Sequence, residues 1–132
     1  MTMKAEIAAE ALQRIGGRLW EKHGHRRIYF NEPDMMETIG LEVSRYNSGR
    51  ISSARHDGCT ISNREANRII ARLPKKLWYD LNVQKWAWVV KDHNRRRPYR
   101  DEADEMAEEV IAAIEGMVAG DPEAADDPEA VS

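Results

Sequence analysis

The sequence lacks features that several classes of protein require. It holds one cysteine, Cys59, so no internal disulfide can form and a disulfide-bonded secreted framework is excluded. No uninterrupted apolar run is longer than that of residues 86–90, which is far shorter than the roughly 20 residues that cross a bilayer. The first residues carry no apolar signal-peptide segment. We therefore expect a cytoplasmic protein without membrane contact.

Motifs for catalysis and metal binding are also missing. The soft metal ligands fall outside the C-x-x-C and H-x-x-x-H spacings of zinc sites; they are His23, His25, His56, His93 and Cys59. No glycine-rich phosphate loop occurs. A nucleophile pair of Cys59 and His56 has no third group to orient it. We predict a protein that is not an enzyme and has no catalytic residue, metal or cofactor.

Basic residues are absent from the C-terminal quarter of the chain. Residues 14–100 hold 19 of the 20 Lys and Arg against 9 acids, whereas residues 101–132 hold 12 acids and no base. The formal net charge of −3 therefore hides a basic segment followed by an acidic one. Such a segment attracts polyanions, and an acidic tail can shield it or contact a basic partner. The alternative is an ordinary solvated surface.

The chain has the size of one domain, with 132 residues of which 42% are hydrophobic and 33% charged. We predict a single domain over residues 1–119. Residues 120–132 are rich in Asp, Glu, Ala and Pro with little to bury, and we expect a disordered acidic tail.

Hydrophobic periodicity predicts the order of elements. An amphipathic helix is expected over residues 4–22, with Gly16-Gly17 marking a kink or a close approach by another backbone. A strand follows over residues 25–30 with Ile28 and Phe30 facing the core, and Pro33 opens a short helix that ends at Gly40.

A three-strand meander is predicted next, with turns at residues 47–49 and 56–58. Ser62 and Glu65 have capping-box spacing and start a helix that Pro74 ends. A hairpin over residues 76–90 and a helix over 101–118 complete the pattern. This order predicts an α+β fold with a largely antiparallel sheet packed against N-terminal, central and C-terminal helices.

Basic side chains supply the candidate binding residues. Arg64, Arg68 and Arg72 recur every fourth residue on the central helix, where they could follow a phosphate backbone or simply be solvated. The full set predicted to contact nucleic acid or an acidic partner is Arg26, Arg27, Arg64, Arg68, Arg72, Lys75, Lys76, Arg95, Arg96 and Arg97.

Aromatic residues of the later hairpin have two interpretations. They are Trp78, Tyr79, Trp86 and Trp88. They could form a platform for unstacked bases, but one face of a sheet must pack on helices, and we favour the core for them.

Turn and cap residues resemble those of a known group of proteins. These residues are Tyr29-Phe30-Asn31, Gly40-Leu41, Tyr46-Asn47-Ser48-Gly49-Arg50-Ile51, Asp57-Gly58, Ile61-Ser62-Asn63-Arg64-Glu65-Ala66 and Trp78-Tyr79-Asp80. Over about residues 25–90 the chain resembles small phage- and prophage-encoded accessory proteins, some of which travel with anti-CRISPR genes. The resemblance implies a compact α+β binder in the host cytoplasm and no active-site residue.

Two functions follow from these observations. The first is a phage or mobile-element protein that binds a host defence protein or nucleoprotein complex, as an anti-CRISPR-like inhibitor does. The alternative is a module that binds DNA or RNA through a basic face, with the acidic C-terminal segment as modulator. A homodimer stays open, because the apolar stripe of the last helix could pack on its own domain or on a second copy.

Overall fold

The computed structural model describes residues 4–90 and 101–120, and this part of the chain contains four helices and seven strands. The helices are α1 (Ala5–Arg14), α2 (Glu32–Thr38), α3 (Asn63–Arg72) and α4 (Glu102–Ala119). The strands are β1 (Arg18–Lys22), β2 (His25–Phe30), β3 (Leu41–Arg45), β4 (Ile51–His56), β5 (Cys59–Ile61), β6 (Lys76–Asp80) and β7 (Lys85–Val89). They form two antiparallel sheets, β1-β2-β6-β7 and β3-β4-β5. The predicted α+β class is confirmed.

The prediction of one helix over residues 4–22 is wrong beyond Arg14. Gly16 has a φ of +107°, and the chain leaves the helix there to form β1, which pairs with β2. A Cβ on Gly17 would lie 2.3 Å from Ile28 Cγ2 and 2.8 Å from the Leu12 carbonyl oxygen. Glycine is therefore required where the end of the helix crosses closely over β2.

The elements from β2 to α3 follow the sequence prediction. Ile28 and Phe30 of β2 are buried, and Gly49 has a φ of +91° in the β3–β4 hairpin, with a register shift nearby. The hydroxyl of Ser62 accepts a hydrogen bond from the Glu65 amide at 3.1 Å, which is the Ser62 half of the predicted capping box. Local turn and cap chemistry thus sets the boundaries of these elements.

The core lies between one face of the four-stranded sheet and the helices. Helix α4 packs on this core within its own chain. It buries Met106, Val110 and Ile114 among residues of α1, β2 and β6. Val118 is also buried, whereas Met117 is 41% exposed.

Two predicted features fall outside the described residues. They are the arginine connector, Arg95 to Arg97, and the acidic tail beyond Gly120. Among the helices that are described, none combines the length and hydropathy needed to span a membrane.

Candidate nucleic-acid interface

The four-stranded sheet has two chemically different faces. Its inner face carries Tyr79, Trp86 and Trp88, which pack against the core as we predicted for the hairpin aromatics. Trp78 is different, because strand residues alternate between the faces and Trp78 lies on the side away from the core. The aromatic residues of the hairpin are therefore divided between core and surface.

We call the outer surface of the four-stranded sheet the open face. Strand register arranges its side chains in rows across the strands. One row contains Arg18, Tyr29, Trp78 and Ala87, and the next contains Trp20, Arg27, Asp80 and Lys85. Lys22 and His25 pair beyond the second row, and Lys76 pairs with Val89 beyond the first. No described helix packs on this face, and none of these side chains is fully buried.

Three aromatic rings lie on the open face. Trp20 is 63% exposed, which is unusual for so large an apolar side chain. Tyr29 and Trp78 are half-buried neighbours on β2 and β6, with ring centroids 5.7 Å apart and planes tilted by 33°. Exposed rings at strand spacing can stack on planar ligands such as nucleobases.

Arg27 lies at the centre of these aromatic residues. Its guanidinium carbon is 5.7 Å from the Trp78 ring centroid, and its Nη1 donates a hydrogen bond to the Tyr29 hydroxyl at 3.4 Å. That hydrogen bond, together with the nearby Asp80 carboxylate, outweighs desolvation and raises the pKa of Arg27. Its Nε is buried and makes no hydrogen bond within the described residues. Arg27 is thus a permanent cation with spare donor capacity.

The open face is strongly basic. It carries five cationic side chains and one carboxylate; the cations are Arg18, Lys22, Arg27, Lys76 and Lys85. The carboxylate belongs to Asp80, whose Oδ2 is 3.8 Å from Arg27 Nε. A shallow groove of about 760 Å³ runs over this surface, and His23, His25 and Asn31 also line it. This combination of cations, rings and a groove suits an anionic ligand with planar groups.

The other predicted basic residues do not join the open face. Arg64, Arg68 and Arg72 lie on α3, which packs against β4 and α4 rather than against a strand of the four-stranded sheet. Arg64 and Arg68 are exposed, as is Lys75, while Arg72 is half-buried with its Nε enclosed. Lys76 belongs to β6 and is therefore separate from the α3 arginines.

Arg26 and Arg27 lie on opposite faces of the sheet, because neighbouring residues of a strand point in opposite directions. Arg26 Nε lies 3.3 Å from Glu21 Oε1 on the side opposite Arg27. Of the ten basic residues proposed from the sequence, Arg27 and Lys76 are placed on the open face, and Arg95 to Arg97 lie outside the described residues.

Sequence reasoning missed Trp20, Arg18, Lys22 and Tyr29 as site residues. The sequence pattern placed the first three on a helix, where Trp20 would lie on the opposite side from Arg18 and Lys22. The alternation Arg18-x-Trp20-x-Lys22 followed by His25-x-Arg27-x-Tyr29 is the signal that could have found them.

The residues considered for catalysis are apart from this face. Cys59 is exposed, and the His56 ring Nε2 is 3.1 Å from the Ile39 carbonyl oxygen. In residues 4–90 and 101–120, no three His, Cys, Asp or Glu side chains are grouped as a metal site. Comparison of the chain with protein-family models, with curated proteins and with solved structures gave no match.

Proposed function

We propose that the protein is a non-catalytic module that binds single-stranded nucleic acid on the open face. The observation that carries the proposal is the exposed Trp20 beside the Tyr29–Trp78 pair, in a surface with five cations and one carboxylate. Lysine and arginine neutralise phosphates, and each ring offers a stacking surface to a base.

The arrangement favours single strands over duplexes. Bases in a duplex stack on one another, so their faces are closed to side chains, whereas a single strand can turn its bases towards aromatic rings. The rings lie on neighbouring strands, about 5 Å apart from strand to strand. A short stretch of unstacked nucleotides therefore fits the open face better than a rigid helix does.

The test is fluorescence anisotropy with a short labelled oligothymidine at low and physiological salt. We expect Trp20→Ala and Trp78→Ala each to weaken binding by roughly 5- to 150-fold, the loss of about 1–3 kcal/mol of stacking. Tyr46→Ala is the matched aromatic control, because Tyr46 is also 63% exposed but lies in the connection between β3 and β4. It should bind like the wild type.

Charge is tested separately. The double variant Arg18→Ala/Lys22→Ala should weaken binding and reduce the slope of log K against log salt, by about 0.7 for each lost phosphate contact. Arg64→Ala/Arg68→Ala removes the same charge from α3 and should leave both quantities unchanged. If the α3 variant weakens binding and the β1 variant does not, the open face is the wrong surface.

A protein target is the other class of function. If no oligonucleotide binds at low salt, the proposal fails, and an inhibitor of a host defence complex, which the phage-protein resemblance suggests, becomes the hypothesis to test. The same Trp20→Ala and Tyr46→Ala variants would then be compared in pull-downs against purified defence complexes.

A further inference from the structure

We propose that Asp80 makes the open face prefer guanine, an inference that rests on the proposed binding of single-stranded nucleic acid. Asp80 is the one carboxylate in the two rows that contain the aromatic residues. It lies on the same strand as Trp78, two residues further along, so both side chains are on the open face.

A carboxylate at this position is unfavourable for backbone binding, because it repels phosphate. It can instead accept hydrogen bonds from the edge of a base. A base stacked on Tyr29 and Trp78 extends its edge towards the next row, where Arg27 and Asp80 are paired in register. Asp80 is therefore placed to contact a base edge rather than the sugar-phosphate chain.

The hydrogen bonds of Asp80 leave half of its carboxylate available. Oδ1 accepts from the backbone amides of Asn82 at 2.9 Å and Val83 at 3.3 Å, which uses two of the four acceptor sites of a carboxylate. Oδ2 is 3.8 Å from Arg27 Nε, too far for a hydrogen bond, and it has no other hydrogen-bond donor among the described residues. Two acceptor sites on Oδ2 are thus open to a ligand.

Guanine can direct two donors at this one oxygen, which they would share. Its Watson–Crick edge carries two adjacent N–H donors, N1–H and N2–H, followed by the O6 acceptor. Adenine and cytosine each offer one amino group beside a ring-nitrogen acceptor, and thymine or uracil offers one N–H between two carbonyl oxygens that a carboxylate repels. Arg27, whose side chain lines the groove beside Asp80, is the donor for O6.

The experiment compares labelled thymidine oligomers that contain one central guanine, adenine, cytosine or hypoxanthine. Hypoxanthine keeps N1–H and O6 but lacks the N2 amino group. We expect the wild type to bind the guanine oligomer at least about fivefold more tightly than the others. In Asp80→Asn this preference should disappear, because the amide offers the base fewer acceptor sites and a weaker, uncharged one.

The Asp80→Asn variant should lose its guanine preference without losing affinity for oligothymidine. Its side-chain oxygen can still accept from the turn amides, and it removes a negative charge from a basic surface. Affinity for the all-thymidine oligomer should therefore stay the same or rise, which a misfolded variant would not show. Asp57→Asn, in the β4–β5 turn, removes the same charge at a distance and should keep the guanine preference.

The outcomes separate the two proposals. Equal binding of all four oligomers by the wild type, or a guanine preference that survives in Asp80→Asn, overturns the role of Asp80 while oligothymidine binding still supports the open face. Absence of any oligonucleotide binding overturns both proposals.

Discussion

Trp88 donates its indole Nε1–H to Asp104 Oδ1 over 3.0 Å, and this hydrogen bond joins β7 to the first turn of α4. Both side chains are partly buried. The bond therefore fixes the position of the helix on the inner face of the sheet, next to the core that α4 helps to form.

We expect Trp88→Phe to destabilise the protein by about 1.5–3 kcal/mol, because a hydrogen bond to a charged acceptor is lost and a smaller ring remains. Urea unfolding measures this change. In a double-mutant cycle with Asp104→Ala, the two effects should not add, since either substitution removes the same bond. Additive effects would show that the bond contributes nothing to stability.

Alanine substitutions at two glycines should change the stability of the protein in opposite directions. Gly17→Ala places a Cβ 2.3 Å from Ile28 Cγ2, and we expect it to cost about 1–3 kcal/mol through forced repacking. Gly116→Ala meets no atom within 4 Å in α4 and should stabilise the protein by about 0.4–1 kcal/mol. Thermal unfolding of both variants tests the pair, and destabilisation by Gly116→Ala would contradict the assignment of Gly116 to an open helix surface.

The Asn82 side chain connects the β6–β7 turn to the β1–β2 turn at one end of the four-stranded sheet. Its Nδ2 donates to the Gly24 carbonyl at 2.9 Å, and its Oδ1 accepts from the Arg26 amide at 3.1 Å. Asn82→Ala should cost about 1–3 kcal/mol and speed hydrogen exchange at the Arg26 amide. Val83→Ala, at an exposed neighbour, is the control. Unchanged exchange at Arg26 in Asn82→Ala would mean that the side chain does not hold the turns.

Tyr79 links stability to alkaline pH. Burial, and to a smaller extent the negative charge of Glu115, raises the pKa of Tyr79 above its ordinary value of 10.0. The folded state then keeps a proton that the unfolded chain releases, so the free energy of unfolding falls as pH rises above about 10. Tyr79→Phe should lose stability less steeply between about pH 9 and pH 11 in urea titrations. Parallel curves for the two proteins would rule out this contribution.

The acidic tail should weaken polyanion binding through its charge. A chain ending at Gly120 loses five acids, Asp121, Glu123, Asp126, Asp127 and Glu129. We expect it to bind oligothymidine more tightly than the full chain, with a difference that shrinks as salt increases. The matched control is the full-length chain with those acids changed to Asn or Gln. If the truncated chain and the neutralised full-length chain bind oligothymidine with different affinities, the length of the tail also contributes to the effect.

Most element boundaries could be predicted because they depend on local chemistry. Pro33, Gly40 and Ser62 act through a few neighbouring residues; Pro33 and Ser62 lie where helices begin, and Gly40 lies where α2 has ended. That residues 18–22 form strand β1 rather than a helix could not be predicted from local chemistry. Leu19 satisfies a helical period with Leu12 and Ile15, and only pairing with β2 shows that it belongs to a strand.

The candidate site was harder to predict, because it depends on which strands are neighbours. Trp20 and Trp78 are 58 positions apart in the chain, and β2 brings them to the same face by pairing with β1 and β6. The α3 stripe, by contrast, is visible in the sequence because a helix places nearby residues on one side. Local patterns therefore pointed to α3 and did not reveal the residues that the sheet brings together.

Among the described residues, opposite charges lie on the two sides of the core, and this separation contributes to an electric dipole moment. The cations of the open face are on one side of the four-stranded sheet, and α4, with exposed Glu105, Glu109 and Glu115, packs on the other. If the open face binds polyanions as proposed, this charge separation should turn β1, β2 and β6 towards the ligand before contact. A larger share of diffusional encounters then begins in a productive orientation, and added salt should slow association more than it speeds dissociation.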